Sequence, residues 1–547
     1  MARFVQRCRH HDRSETPVDR RTFTSLWLPA LMTTALPLGA ARAAGQVLNV
    51  GTGGAFTSID PHYHNLTPNN VIAYHLFNRL VGLDGEFRPV PELAESWEPA
   101  GELAWVFKLR PNVRFHDGTP FAADDIVFTF DRIPKILNSP ASFTQAVKQV
   151  ARIEIMDPLT IKLHTKNPEP LLPYYLAGAM IVSRKHGQGA QTSDYNSGKA
   201  AIGTGPHKLD SVILGDKVVF RRNEDFWGEK PHWETVSYRL IANNASRTAA
   251  IQAGDVDIVD QVSTRDVATL QGNPKLTTLA PPGQRLIYLY VDSEREPSPL
   301  ITDAAGQKLA KNPLKDLRVR RALSLAINRE GIRTQIMDGF AAPTGQLMPK
   351  GAVGYVDSIN PDPYDPAQAR KLLAEAGYPN GFGITLNGPN DRYVNDRTIV
   401  EAIAQMWTRI GVKTVVATTP ALMFFAGGAR DEYSIALQGW ASDTGEASSN
   451  LVQIIASTNP EKGRGAIVRE SHFARADIDA VVEKSLATFD PAAREALYRE
   501  ATMMGMKEQA IIPLHHQVNI WAMRKGISLR PRMQEGVRSY EVDPAAT

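Results

Sequence analysis

The chain is 547 residues long, 43% hydrophobic and 22% charged, with a formal net charge of +3 and a single cysteine. That length buries a large core without covalent staples, and the composition excludes collagen, coiled coil and wholesale disorder. Cys8 alone cannot make an intrachain disulfide, a cysteine zinc site or an iron–sulfur cluster.

Residues 1–43 read as an export signal. Arg3, Arg7, Arg9, Arg13, Arg20 and Arg21 precede an uncharged, moderately apolar stretch over 22–41, and Ala41-Arg42-Ala43 makes a small-x-small cleavage pattern. Arg20-Arg21-Thr22-Phe23 resembles the twin-arginine signal, although Asp19 stands where Ser or Thr is usual, so Sec export stays open. A membrane anchor fits less well, because Pro29 and Pro37 break the stretch. Cleavage near Ala43 removes seven of 61 bases and three of 58 acids, leaving 54 against 55. The basic excess thus belongs to the signal, which argues against a nucleic-acid partner. No later segment is long and apolar enough to span a membrane, so the mature chain is expected not to span one.

In chain order, 46–50 reads as a strand and 51–54 as a turn, followed by a strand over 103–110 and a turn-rich return over 111–118. A helix opens at Ala123 with Asp124 and Asp125 in its first turn. Strands are expected at 217–221, 286–291, 413–417, 435–437 and 511–514. Helices are expected at 247–252 (stopped by Gly254), 317–336, 366–376, 396–410 (stopped by Gly411) and 491–509. Alternating strands and helices indicate α/β lobes.

Enzyme signatures fail one by one. Gly51-x-Gly53 follows a strand, but Phe56 occupies the third glycine's place in the dinucleotide fingerprint, so this is a turn. No nucleophile elbow, phosphate loop or His-Glu-x-x-His is present. His116-Asp117 precedes Gly118-Thr119-Pro120 and reads as a hydrogen-bonded turn, and His515 and His516 on a strand point to opposite faces. The expectation is a binding protein rather than an enzyme, with no cofactor and no metal.

Several segments in order then carry a resemblance. They are Pro91-Glu92-Leu93-Ala94-Glu95-Ser96-Trp97, Trp105-Val106-Phe107-Lys108-Leu109-Arg110, Val113-Arg114-Phe115-His116-Asp117-Gly118-Thr119-Pro120-Phe121, and Gly203-Thr204-Gly205-Pro206. Gln252-Ala253-Gly254-Asp255, Asp316-Leu317-Arg318-Val319-Arg320-Arg321-Ala322-Leu323 and Leu372-Leu373-Ala374-Glu375-Ala376-Gly377-Tyr378-Pro379 follow. Together they resemble extracytoplasmic solute-binding protein family 5, the dipeptide- and oligopeptide-binding proteins of ABC importers. Trp97, Phe107 and Phe115 among them, with Phe128 in the matching segment Ala123-Asp124-Asp125-Ile126-Val127-Phe128, read as core, so they mark the family and not the site.

The resemblance implies an α/β fold: a two-lobed periplasmic-binding-protein clamp of type II with an extra subdomain and a hinge of two crossing strands. The expected division is 44–60 with 200–283 and 506–547 as the first lobe, 61–199 as its inserted subdomain, and 284–505 as the second lobe. It also implies a periplasmic monomer that closes on a peptide or similar small zwitterion and delivers it to the transmembrane subunits of an ABC permease. Asp443, in Gly439-Trp440-Ala441-Ser442-Asp443 after an apolar strand, matches the family's Trp-x-x-Asp, whose carboxylate meets the ligand ammonium; by itself it reads rather as a capping or turn aspartate, and the family match reverses that preference. Arg392 and Tyr393 lie where dipeptide binders place the arginine for the ligand carboxylate, against the alternative of an ordinary salt bridge. Trp440 and Gly439, with Tyr63 and Asn65 from the first lobe, complete the expected contacts, and ligand side chains are expected in wet, tolerant pockets. Other ligands known in the family stay open: glutathione, opines, sugars, haem, or a nickel complex read from His62, His64 and His75. A secreted hydrolase is the remote alternative.

Overall fold

The computed structural model describes residues 46–442, 444–459, 464–465 and 472–545, so the expected signal over 1–43 and Asp443 lie outside the described residues. Two seven-stranded sheets organise the chain. In the first, Val47–Thr52 is central and pairs in parallel with Thr235–Leu240 on one side and Ile258–Val259 on the other. A parallel connection needs a crossover, supplied here by helix Asn244–Ala253, which Asn243 caps and which ends at Gly254 with φ 82°. Lys217–Arg222 and His207–Ile213 extend one edge; Trp521–Arg524 and Leu276–Leu279 extend the other.

The second sheet runs Ile301–Thr302, Gly383–Pro389, Ile435–Trp440, Pro282–Val291, Ile511–Val518, Ala341–Pro343, with Lys413–Thr419 also paired to Gly383–Pro389. Its middle strand is apolar on both faces because both faces are covered. Ile287, Leu289 and Val291 enter one core with Ile399 and Trp407, while Leu286, Tyr288 and Tyr290 enter another with Phe424 and Tyr498. Helix Asp396–Arg409 covers the first of these faces through Ile399, Ile403 and Trp407, whose indole donates to the Leu323 carbonyl at 2.9 Å. The single helix expected over 317–336 is instead broken into Leu317–Leu325, Arg329–Gly331 and a wider turn Ile332–Ile336. The Asn328 side chain accepts the Gly331 N–H at 2.8 Å and starts a new helix, which interrupts the first.

A third, four-stranded antiparallel sheet (Ala94–Pro99, Ala104–Leu109, Thr160–Thr165, Val150–Asp157) has its own core of Phe107, Phe115, Ile126 and Phe130. Phe107 and Phe115 are buried there as expected, Trp97 packs against the same core, and Phe128 packs against the neighbouring one. The chain passes from the first sheet to the second between Leu279 and Pro282, and returns between Val518 and Trp521. The sequence reading assigns 506–547 to the first lobe; Ile511–Val518 instead pairs with Pro282–Val291 in the second sheet, which places the return at 519–520. Two short crossings are the covalent joints between the two lobes.

Candidate functional site

Two cavities lie where the sheets face each other beside these crossings. The smaller, about 430 Å³, is bounded by Asp260, Gln261 and Thr264 from the first lobe and by Arg392, Tyr393 and Asn395 from the second. The larger, about 640 Å³, has Asn65, Tyr74 and Phe143 on one wall and Trp440 and Ser442 on the other. Both volumes suit a small organic ligand. Arg285 and Glu535 line both cavities, and their ion pair, with Arg285 Nη2 3.2 Å from Glu535 Oε1, stands between them.

Local chemistry places Arg392 on the wall. The chain leaves strand Gly383–Pro389 and turns at Asn395, whose left-handed φ of 56° is one that asparagine tolerates. The Asp396 carboxylate accepts the N–H groups of Arg392 and Tyr393, each at 2.9 Å, and Asn395 Nδ2 donates to the Ile336 carbonyl at 2.8 Å. The backbone is thereby held while the Arg392 side chain opens into the cavity. Its guanidinium lies 5.2 Å from the centre of the Tyr393 ring and has no carboxylate partner among the described residues. Desolvation by the surrounding wall and then the neighbouring Arg285 charge push its pKa below the usual arginine value. Such a cation, open to the cavity and without a carboxylate among the described residues, is available to an anion.

Tyr393 and Gly439 form the support. Tyr393 is buried and its hydroxyl donates to the Gly439 carbonyl at 3.2 Å. A Cβ on Gly439 would stand 2.6 Å from the Tyr393 ring, so the glycine is required by packing beneath that ring. Trp440 closes strand Ile435–Trp440; its N–H donates to Ser449 Oγ at 3.2 Å and its ring lines the larger cavity. Asn65 lines the same cavity and accepts from Asn70 Nδ2 at 2.8 Å. Tyr63 lines neither cavity, and its carbonyl accepts from Ser139 Oγ at 2.6 Å. Beside Asp443, Ser442 is buried and its hydroxyl donates to the Glu446 carbonyl at 2.7 Å. The structure adds Arg285, Glu535 and Gln284, which the sequence reading does not single out. The available signal was a run of polar residues, Gln284-Arg285, at the mouth of the apolar strand over 286–291.

The histidines do not converge on a metal. His62 Nδ1 meets Arg132 at 2.7 Å and Nε2 meets the Met180 carbonyl at 2.7 Å. His75 Nδ1 donates to the Val71 carbonyl at 2.8 Å, and Nε2 accepts the Ser539 N–H at 3.1 Å. Burial lowers both to about 4, so both rings are neutral with their nitrogens occupied. No group of three or more His, Cys, Asp or Glu could hold a metal ion among the described residues. His116 bonds the Gly205 carbonyl at 3.1 Å, and Asp117 accepts from Thr119, Lys185 and His186, as a turn does. The Gly53 N–H donates to Asp260 at 2.8 Å, which accounts for that glycine turn without a nucleotide. No described helix is long and apolar enough to cross a membrane.

Known proteins share this architecture. Residues 88–462 match the model of the bacterial extracellular solute-binding proteins, family 5. A glutathione-binding protein, GsiB, of Shigella flexneri serotype 5b (strain 8401) is 29% identical over 495 residues, covering 88% of this chain and 91% of its own. The periplasmic binding protein DppA of Helicobacter pylori, in complex with the peptide STSA, superposes with a TM-score of 0.73 at 23% identity, over 91% of this chain and 98% of its own. A dipeptide-binding protein of Pseudoalteromonas sp. SM9913, in complex with Met-Leu, gives 0.72 at 21% identity, over 91% and 100%.

Proposed function

Because the chain belongs to the bacterial extracellular solute-binding proteins of family 5, we propose that it captures a di- or short oligopeptide between its lobes and delivers it to the transmembrane subunits of an ABC permease, as an exported periplasmic monomer. The observation that carries the ligand class is the Arg392 guanidinium, open to the interlobe cavity and unpaired among the described residues. A planar fork of donors suits a carboxylate, which it binds through two parallel hydrogen bonds. Asp443, on its sequence motif, is the proposed partner of the ligand ammonium. Binding then needs no catalytic group, and contacts made from both lobes favour the closed form.

Glutathione is the second reading, favoured by the relative that binds it; a peptide with two carboxylates also presents an anion to Arg392. Calorimetry with dipeptides and with glutathione separates the two. The proposal expects Arg392→Ala to weaken peptide binding by about a hundred- to a few-thousand-fold, the scale of a broken buried ion pair. Unchanged affinity in both Arg392→Ala and Asp443→Ala would remove this model of the site. Native mass spectrometry of protein from its own periplasm would identify the retained ligand.

A further inference from the structure

The two cavities differ in chemistry. The smaller has many amides, carboxylates and guanidinium groups on its wall, whereas the larger, beside its polar groups, gathers six aromatic rings: Tyr74, Phe87, Phe143, Tyr174, Tyr175 and Trp440. These rings are fixed in place. Tyr74 has the Arg79 and Arg538 guanidinium carbons 4.8 and 4.3 Å from its ring centre. Trp440 spends its N–H on Ser449 and offers the cavity only its ring. Phe87 adopts φ 65°, a left-handed conformation unusual for a bulky residue, and its ring fills the space where a Cβ of Gly445 would stand. Backbone strain of this kind persists only where surrounding structure holds it, and here it brings a ring from the inserted subdomain onto the second lobe.

Among the polar groups that share this wall with the rings, one is buried and unpaired. Gln284 lines the larger cavity beside Arg285, is 4% exposed, and its Nε2 has no hydrogen-bond partner among the described residues. A buried amide left unpaired is costly, and an acceptor arriving in the cavity would relieve the cost.

We propose that the larger cavity selects ligands with a bulky aromatic side chain, that Gln284 donates to a carbonyl next to that side chain, and that Arg392 holds the carboxylate on the far side of the Arg285–Glu535 pair. This inference rests on the peptide reading above and sharpens it: the pocket for one side chain is selective, not wet and tolerant. Burying a phenyl group against fixed rings favours Phe over Gly by about 10- to 100-fold.

The test titrates ligand-free protein with two series of dipeptides, X-Gly and Gly-X, where X is Phe, Leu, Gly or Glu. The expected order in one series is Phe, then Leu, then Gly and Glu, with a Phe-to-Gly ratio of about 10 or more. Phe143→Ala should shrink that ratio, and Gln284→Leu should weaken every peptide by a similar factor without changing the order; thermal melts check that each variant folds. Peptide binding with no dependence on X, or with Glu preferred, overturns the selectivity and leaves the peptide reading intact. An unchanged affinity in Gln284→Leu overturns the donor role. Failure of every peptide in both series overturns the peptide reading and this inference with it.

Discussion

Two arginines beside aromatic rings show how differently one side chain is used. Arg132 lies 4.3 Å from the Tyr195 ring centre and Arg392 lies 5.2 Å from that of Tyr393. Arg132 is buried and grips both oxygens of Asp60, at 2.9 and 2.7 Å, with His62 as a further partner. Burial alone would raise the Asp60 pKa, but the Arg132 hydrogen bonds and charge hold it below the ordinary carboxylate value. Arg392 has the same kind of ring beneath it, opens into a cavity and has no carboxylate among the described residues. The first arginine is spent on Asp60 and His62; the second leaves its charge open to the cavity.

The largest effect that could break this contrast is on stability. Asp60→Ala strands a buried guanidinium and should cost about 3–5 kcal/mol of unfolding free energy, read from urea denaturation. Arg392→Ala should do the reverse: stability within about 0.5 kcal/mol of wild type, with the loss appearing in peptide affinity by calorimetry. Arg392→Lys should recover only part of that affinity, because an ammonium cannot reproduce the fork. If Arg392→Ala unfolds the protein as Asp60→Ala does, the distinction between the two arginines collapses.

A smaller effect sharpens the role of the support. Gly439→Ala should push the Tyr393 ring and cost about 1–3 kcal/mol by overpacking, with weakened peptide binding because Arg392 stands on that ring. Unchanged stability and affinity would mean that the ring yields freely. Smallest for each group taken alone is the response to acid, to which the buried His116, His207, His515 and His516 add in the same sense. His62 and His75 are held neutral down to about 4 in the fold but titrate near 6.5 when unfolded. The unfolded chain therefore takes up more protons between those values, so stability falls as pH drops from about 6.5 towards 4. By pH 5.5 the loss is on the order of 1 kcal/mol for each histidine. A melting temperature flat across that range would show the rings to be protonated in the fold.

Much of this was legible from neighbours along the chain. The apolar run over 286–291, the glycine stop at Gly254 and the amphipathic spacing over 396–410 each state a local preference that the fold keeps. Asn328 was the local signal that was missed: in a helical stretch it reads as tolerable, yet as a cap it starts a new helix. Other features had no local signal. Arg285 and Glu535 are 250 residues apart and meet only because both crossings pass the same place. His62, His64 and His75 look like a cluster in sequence, but two turn into separate interiors and His64 stays outside near Thr57.

The sequence by itself determined the family resemblance, the alternation of strands and helices and the places where each must stop, because these follow from side-chain periodicity and backbone preference within a few residues. Tertiary structure alone decided that Gly439 exists to admit a ring, that one side of the cavity is aromatic, and that Arg132 meets Asp60 while Arg392 meets no carboxylate among the described residues. A charge is spent or left available according to which distant residue meets it, and that meeting is set by how the sheets pack and not by the order of residues along the chain.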